Sequence, residues 1–263
     1  LRKAYTLNSY QLDSLQADSL MIFKDIEKSL ESTLINPSTK FNLSNLKAER
    51  ERIHAYLKEK GYYNFNSNFI LFEADTNQQK NKTYNLYLRI KNEVPKKSLS
   101  PYRINKVSVY PNVGVNSDTI NIASTSIDGV QFFQDTLFFK PERLRPFIRI
   151  EKGDLYKPSN SKNTSRRLGN LNTYKFVNIE YEDLDSLDQN NRRWLNTRIA
   201  LSPLNKRSLR FELQALTKSN NFTGPALGLT YINRNLFKSG EELRLNASVG
   251  YERQFLSGNQ DGL

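Results

Sequence analysis

The chain has 263 residues, with 39 lysines and arginines against 27 aspartates and glutamates, which gives a formal net charge of +12. It has no cysteine and one histidine, which excludes disulfides, cysteine nucleophiles and the common zinc sites. The basic residues are scattered rather than clustered, so we predict no nucleic-acid binding. We also predict no catalytic residue, cofactor or metal site, because the sequence has neither a phosphate-binding glycine loop nor an EF-hand.

Before residue 93, the hydrophobic pattern predicts one strand, two helices and two strands. Ile22, Ile26, Leu30 and Leu34 recur at four-residue spacing, which indicates one face of a helix. Gly61 stands where the end of a second helix needs a left-handed backbone. The expected elements are a strand at Ala4–Tyr10, a helix that ends at Asn36–Ser38, a helix at Leu43–Lys60 with Ser44 or Asn42 as its cap, and strands at Phe65–Glu73 and Tyr84–Lys91.

The same order of elements recurs after a linker rich in proline, lysine and serine at residues 93–101. An insertion near residues 111–140 interrupts this second copy, and Asp128-Gly129 within it predicts a hairpin turn. Pro146 predicts that the first helix of the copy is short or kinked. The expected elements are a strand at Tyr102–Tyr110, helices at Pro141–Ile150 and Ser161–Asn172, and strands at Tyr174–Glu182 and Trp194–Ser202. The alternative is two α+β domains that share an order by chance.

Three later segments, Ser208–Leu216, Ala226–Asn233 and Glu242–Tyr251, alternate apolar and polar side chains. A strand has a period of two, so each segment has one apolar and one polar face. Segments of about ten residues with this pattern are typical of membrane-spanning barrel strands. Three strands cannot close a barrel, and we therefore expect the chain to be a piece of a longer protein. The predicted lipid-facing residues are Leu209, Phe211, Leu213, Leu227, Leu229, Leu243, Leu245 and Val249.

Short motifs in all three parts of the chain carry a family resemblance. They are Phe41-Asn-Leu-Ser, Glu49–Ile53 and Gly61–Phe65 in the first copy, Gly153–Tyr156, Arg167–Gly169 and Tyr174–Ile179 in the second, and Asn233–Leu243 in the third part. Together they resemble the outer-membrane protein assembly factors of Gram-negative bacteria, of the surface-antigen type and with wording closest to Bacteroides-type bacteria. The insertion and Thr173, where the family has glycine, depart from the common pattern.

The resemblance implies an α+β fold in which polypeptide-transport-associated (POTRA) domains precede a transmembrane β-barrel. Residues 1–92 and 102–204 would be two such domains, each with the order β-α-α-β-β, and residues 205–263 would be the first antiparallel barrel strands. The POTRA part would lie in the periplasm and the barrel in the bacterial outer membrane. The connection Thr217–Gly224 would face outward, and the short turn Lys238–Gly240 would face the periplasm.

The resemblance further implies that the POTRA domains bind unfolded β-barrel precursors by β-augmentation and pass them to the barrel for membrane insertion, without a cofactor. The implied partners are unfolded outer-membrane protein clients, accessory outer-membrane lipoproteins and outer-membrane lipid. The client-binding edge would be the strand after the second helix of each copy. Its residues would be Phe65, Phe69 and Leu71 in the first copy, and Tyr174, Phe176, Ile179 and Tyr181 in the second.

Three other interpretations remain open from the sequence. The strand edges can be blunted by charge and serve only the fold, since Lys175 and Glu180 suit either role. The protein can be a secretion transporter that exports one specific partner through the barrel. It can also be a soluble, basic α+β binding or adhesion protein whose last hairpins form an ordinary sheet. We interpret the only histidine, His54, as a surface residue of the second helix.

Overall fold

The computed structural model describes residues 5–13, 20–76, 82–113, 124–187, 192–218 and 222–254. No helix within these ranges is long and apolar enough to span a membrane. The chain divides into two compact units, and the division cuts through the second copy of the repeated order, so the predicted domain boundaries stay predictions. The units are Leu1–Ser108 with Arg149–Thr164 and Ile179–Arg198, and Val109–Ile148 with Ser165–Asn178 and Ile199–Leu263.

The first sheet has three strands, β1 (Thr6–Leu12), β2 (Ile70–Asp75) and β3 (Thr83–Ile90), in the order β1-β3-β2. The central strand β3 is parallel to β1 and antiparallel to β2. Its residue Leu88 is only 1% exposed, as expected for a central strand whose face is covered by helices. The predicted first residue of β1, Ala4, lies outside the described residues.

Two helices, α1 (Met21–Leu30) and α2 (Leu43–Glu59), pack on the first sheet. The side-chain oxygen of Asn42 accepts a hydrogen bond of 2.8 Å from the backbone N–H of Ser44, which caps the start of α2. Gly61 follows α2 with a φ of +99°, as predicted for a left-handed helix end. The buried residues of the main core cluster are Ile22, Phe23, Ile26, Ile53, Leu57, Tyr62, Phe65, Ile70, Leu88 and Ile90.

The end of α1 differs from the prediction. The helix stops at Leu30, so the expectation that it continues through Leu34 is wrong. Leu34 is 52% exposed, and Ile35 is buried in its place. Near this end the hydroxyl of Ser29 donates a hydrogen bond of 2.6 Å to the carbonyl of Ile26, a side-chain bond that competes with helix continuation.

The start of β2 also differs from the prediction. A 3₁₀ turn at Ser67–Phe69 precedes the strand, because the side chain of Asn66 accepts a hydrogen bond of 2.9 Å from the backbone N–H of Asn68. Phe65 lies before this turn and is only 1% exposed. Its placement on an exposed strand edge is therefore wrong, because its ring is part of the core.

The second sheet has five strands in the order β5-β6-β4-β8-β7. Its strands are β4 (Tyr102–Tyr110), β5 (Ser124–Ile127), β6 (Val130–Phe133), β7 (Tyr174–Leu187) and β8 (Arg193–Pro203). The hairpin β5–β6 comes from the insertion, and its turn residues Asp128 and Gly129 have φ values of +46° and +76°. The predicted hairpin is therefore confirmed, and it adds two strands on the β4 side of the sheet.

The helices of the second copy are α3 (Pro141–Leu144) and α4 (Pro158–Gly169). α3 continues as a 3₁₀ turn at Arg145–Phe147, so the prediction of a short helix at Pro146 is confirmed. α4 begins at Pro158 rather than at the predicted Ser161. A proline is well suited to the first position of a helix, because its missing N–H has no helical partner there.

The third sheet contains β9 (Arg207–Thr217), β10 (Phe222–Arg234), β11 (Glu242–Gly250) and the short β12 (Arg253–Gln254). β10 pairs antiparallel with each of the other strands of this sheet. The three segments that alternate in sequence are therefore consecutive antiparallel strands, as predicted.

One face of this third sheet is a continuous apolar row. Residues directly opposite each other point to the same face, and Leu229 lies opposite Phe211 on β9 and Ala247 on β11. The same register places all the predicted lipid-facing residues on this face. Leu213 is the most exposed of them, at 81%. The row consists of Leu209, Phe211, Leu213, Leu227, Leu229, Leu243, Leu245 and Val249, all exposed except the half-buried Leu229.

Candidate functional site

The outer edge of β1 is partly covered by the chain itself. The backbone N–H of Leu7 donates to Thr39 O at 2.9 Å, and the carbonyl of Leu7 accepts from Ser38 N at 2.8 Å. Phe41 N adds a bond of 3.0 Å to Tyr5 O. The first sheet can therefore accept a new strand more readily along β2 than along β1.

The backbone N–H and C=O groups of β2 point alternately toward β3 and toward the other side of the strand. On that other side, no further strand lies among the described residues. Lys91 N donates to Phe69 O at 3.0 Å, which fixes the positions that bond to β3. Because bonding positions alternate in an antiparallel ladder, the N–H and C=O groups of Phe72 and Ala74 point away from β3. These groups are available for main-chain pairing with an added strand. Leu71 is 36% exposed on this strand.

A groove of about 280 Å³ runs beside β2. Its walls come from α2 on one side and from the sheet on the other, and the guanidinium of Arg50 lies 5.8 Å from the ring centre of Phe72. Leu43 is 58% exposed and Phe41 is 48% exposed, so apolar surface lies next to the open edge. The lining residues are Phe41, Leu43, Leu46, Lys47, Arg50, Phe72, Ala74 and Leu86.

In the second sheet, β7 is the last strand in the order and the insertion hairpin occupies the opposite side. Phe176 on β7 is 56% exposed, with the Lys175 ammonium 5.1 Å from its ring centre. Ile179 is half-buried. Tyr174 is only 4% exposed and stacks on Phe139 at 6.1 Å. The predicted edge residues of β7 therefore differ in exposure, and Phe176 presents the largest apolar surface.

Four tyrosines, Tyr63, Tyr102, Tyr156 and Tyr181, form a cluster that we call the tyrosine joint. Tyr63 follows α2, and its ring centre lies 5.8 Å from Tyr102, 5.0 Å from Tyr156 and 5.8 Å from Tyr181. Burial raises the pKa of Tyr156 and of Tyr181 to about 12. The prediction places Tyr181 on the client edge, but its side chain contacts the tyrosine joint instead.

A polar network lies beside the tyrosine joint. The Asp183 carboxylate accepts hydrogen bonds from the Tyr102 hydroxyl at 2.8 Å and from Asn64 Nδ2 at 3.0 Å. Burial alone would raise the pKa of Asp183, but these bonds and one from the Asp185 backbone hold it below its usual value. The network therefore favours a charged Asp183 and fixes the chain after α2 against β4 and β7.

The turn after β10 packs on the segment Gln134–Lys140, which we call the turn bracket. The Asn235 side chain donates to Phe138 O at 2.8 Å, and Lys140 N donates to Lys238 O at 2.8 Å. Gly240 has a φ of +92°, and a Cβ added there would lie 3.2 Å from the ring of Phe139. This turn of the third sheet is therefore held by specific bonds rather than by loose contact.

The single histidine of the chain is partly buried. His54 lies in α2 and stacks on Phe65 at 6.4 Å, with its side chain 27% exposed. Burial lowers its pKa, and the charge of Lys58 acts in the same direction. Within the described ranges, no group of three or more His, Asp or Glu side chains could hold a metal ion.

Three polar residues of these networks, Asn64, Asp183 and Asn235, are absent from the site residues predicted from the sequence. Asn64 and Asp183 are 119 positions apart, and local periodicity carries no information on such a contact. Asn235 has a φ of +55°, and asparagine is one of the few residues that tolerate a left-handed backbone. The sequence predicts the turn itself, at Lys238–Gly240, but not the contact of Asn235 with Phe138.

Several solved structures are similar to the chain, among them the following three. BamA from Haemophilus ducreyi lacking POTRA domains 1-3 has 14% identity and a TM-score of 0.54, over 94% of this chain and 37% of that chain. The BamA POTRA3-5 structure from Haemophilus influenzae has 15% identity and a TM-score of 0.42, over 75% of this chain and 61% of that chain. CdiB from Acinetobacter baumannii has 11% identity and a TM-score of 0.37, over 95% of this chain and 39% of that chain.

The likeness to BamA from Haemophilus ducreyi shows that the two chains share a mixed α/β fold over nearly all of this chain. The other two likenesses are weaker and carry no further argument. The chain spans 37% of the length of that BamA chain. No protein-family model and no curated protein sequence matches the chain.

Proposed function

We propose that the chain is part of an outer-membrane protein assembly factor. In this proposal its two helix-covered sheets are periplasmic POTRA domains that bind unfolded β-barrel precursors, and its third sheet is the start of a membrane barrel. The observation that carries the proposal is the pair of edge strands β2 and β7, each without a further strand partner among the described residues. An edge of this kind pairs with an extended peptide through main-chain hydrogen bonds.

Main-chain pairing suits a protein that handles many different clients. The bonds come from backbone groups such as those of Phe72 and Ala74, so the client sequence contributes little to affinity. No cofactor is needed in this mechanism. Client insertion is driven by folding in the bilayer, because unpaired backbone groups are unfavourable in lipid.

The apolar row of the third sheet supports the membrane part of the proposal. Leu213 and Val249 are 81% and 76% exposed, and such a row would need a cover of lipid or protein. The opposite face carries charged pairs such as Arg210–Glu212, with N–O distance 2.8 Å, which suit a water-filled interior. The proposed lipid partner therefore lies along one face of the sheet, in the outer membrane, and the soluble interpretation leaves this row uncovered.

The proposed partners are unfolded outer-membrane protein clients, with accessory outer-membrane lipoproteins as further subunits of the complete protein. The residues proposed to contact clients are Leu71 and Phe176, which are exposed on β2 and β7. Ile179 also lies on β7, whereas Phe69 is the last residue of the 3₁₀ turn that precedes β2. Phe65 is left out because it lies in the core.

The test is depletion of the complete protein in its native bacterium, followed by quantitative proteomics of the outer membrane. The proposal expects many barrel proteins to fall together. Loss of a single exported partner, with barrel proteins unchanged, would support the secretion transporter instead. Unchanged levels of all outer-membrane and secreted proteins would overturn both.

A further inference from the structure

The groove beside β2 combines an apolar floor with cationic side chains, and main-chain pairing alone requires neither. Its floor is apolar, formed by Phe72, Ala74 and Leu86, and it lies next to the outward backbone groups of β2. A strand added along β2 would place alternate side chains on the same side of the sheet as this groove. The groove is therefore positioned to contact two client side chains that are separated by one residue.

Two cations, Lys47 and Arg50, lie in the α2 wall of this apolar groove. The Nε atom of Arg50 is buried and has no hydrogen-bond partner among the described residues. Its neighbour Arg52 differs, because its guanidinium bonds to Glu49 at 2.8 and 2.9 Å. The guanidinium as a whole is half-buried and has no acidic partner among the described residues, so an incoming carboxylate would pair with its accessible nitrogens.

We propose that this groove selects client segments in which an apolar side chain and a carboxylate are two residues apart. The apolar side chain would pack on Phe72 and Ala74, and the carboxylate would bond to Arg50 with Lys47 nearby. The inference rests on the proposed function, since it assumes that a client strand pairs with β2. It adds a preference for acidic segments to a site whose main-chain bonds carry none.

The test uses the complete protein, purified in mild detergent, and fluorescent synthetic peptides that differ at one position. The peptides are extended valine- and tyrosine-rich segments with glutamate, glutamine or lysine two residues after a tyrosine. We expect the glutamate peptide to bind about tenfold more tightly than the glutamine peptide, because a charge-assisted bond replaces a neutral one. The lysine peptide is expected to bind most weakly.

Three variants test whether the cations of the groove cause the preference for glutamate. Arg50→Gln should reduce the ratio of glutamate to glutamine affinities to about one, and the exposed Lys47→Gln should reduce it in part without disturbing the core. Lys24→Gln makes the same charge change on the exposed face of α1 and should leave the ratio unchanged. An equal ratio in all four proteins would overturn the inference.

Ala74→Pro separates this inference from the proposed function. Proline removes the outward N–H of Ala74 and should weaken the binding of all three peptides. If it does so and the peptides bind equally to the unmodified protein, the charge preference is overturned and pairing with β2 stands. If no peptide binds, or if Ala74→Pro changes nothing, client pairing with β2 is overturned together with the inference.

Discussion

The Glu59 carboxylate at the end of α2 accepts two hydrogen bonds from Ser159, one from the backbone N–H at 2.9 Å and one from the hydroxyl at 2.7 Å. Ser159 is the second residue of α4, so a side chain from the first copy caps a helix of the second. The tyrosine joint lies in the same compact unit. Together these contacts fix the end of α2 against the start of α4, through the hydrogen bonds and through the rings of Tyr63 and Tyr156 just outside the two helices.

Replacement of Glu59 by alanine should loosen the first turn of α4. Loss of a helix cap costs about 1 kcal/mol, so amide hydrogens at the start of α4 should exchange about fivefold faster. The measurement is hydrogen exchange with mass spectrometry on the purified protein. Glu27→Ala, at an exposed position of α1, is the matched control. Equal exchange in the two variants would show that the cap contributes nothing.

Replacement of Glu49 by glutamine should destabilise the first copy in a pH-dependent way. Glu49 has a fully buried side chain that bonds to Arg52, Thr33 and the Leu34 backbone. Burial alone would raise its pKa, but the bond from Arg52 and the others hold it below 4.5. A lowered folded pKa means that the stabilisation is present above 4.5 and is lost as the pH falls through the folded value.

The free energy of unfolding is expected to fall by about 3 kcal/mol at neutral pH, because a buried ion pair is broken. The difference between wild type and Glu49→Gln should shrink in acid, as the wild-type carboxyl becomes protonated. The measurement is urea-dependent hydrogen exchange of α2 at neutral and acidic pH, which gives the difference in the free energy of unfolding between the two proteins. Glu51→Gln, with a side chain that is 66% exposed, is the control on the same helix. A penalty independent of pH would contradict the charged role of Glu49.

Replacement of Leu213 by arginine should prevent stable membrane insertion of the complete protein. A cation in the middle of a lipid-facing strand costs about 2–4 kcal/mol. Gln214→Arg places the same charge on the opposite face of β9 and should be tolerated. The readout is the compact, heat-sensitive band of a folded barrel on a gel run without boiling. Identical behaviour of the two variants would contradict the proposed lipid-facing side.

Replacement of Asn235 by alanine should loosen the turn bracket. The change removes the bond to Phe138 O and the bond from Gly240 N, and it puts a less tolerant residue at a φ of +55°. We expect the free energy of local unfolding to fall by about 2 kcal/mol, with faster hydrogen exchange at Phe138–Lys140. Asn235→Gly keeps the backbone conformation and removes only the bonds, so its loss should be smaller. An unchanged exchange rate would show that the turn is not held by Asn235.

The strands of the third sheet are the part of the fold that the sequence predicts best, because sustained alternation over about ten residues matches the period of a strand and not that of a helix. The cap of α2 at Asn42 follows equally from local chemistry. Phe65 shows the limit of local patterns, since an aromatic residue near a strand fits both an exposed edge and a core. In the structure, Phe65 lies before a 3₁₀ turn and packs in the core against residues that are distant in sequence.

The candidate site is predictable from the sequence only in outline. The position after the second helix indicates the edge strands, but Arg50 and Phe72 come together across 22 positions in the groove. Tyr63 and Tyr181 are further apart still, at 118 positions. Contacts of this kind depend on how the helices lie on the sheet, which no local pattern records.

Each helix-covered sheet has one side already occupied by its own chain. Residues Ser38–Phe41 bond along β1, and the hairpin β5–β6 occupies the β4 side of the second sheet. If β2 and β7 are the pairing edges, each copy binds one client strand. A precursor with many strands must then distribute its segments over successive copies, and their number in the complete protein sets how many segments are held at one time.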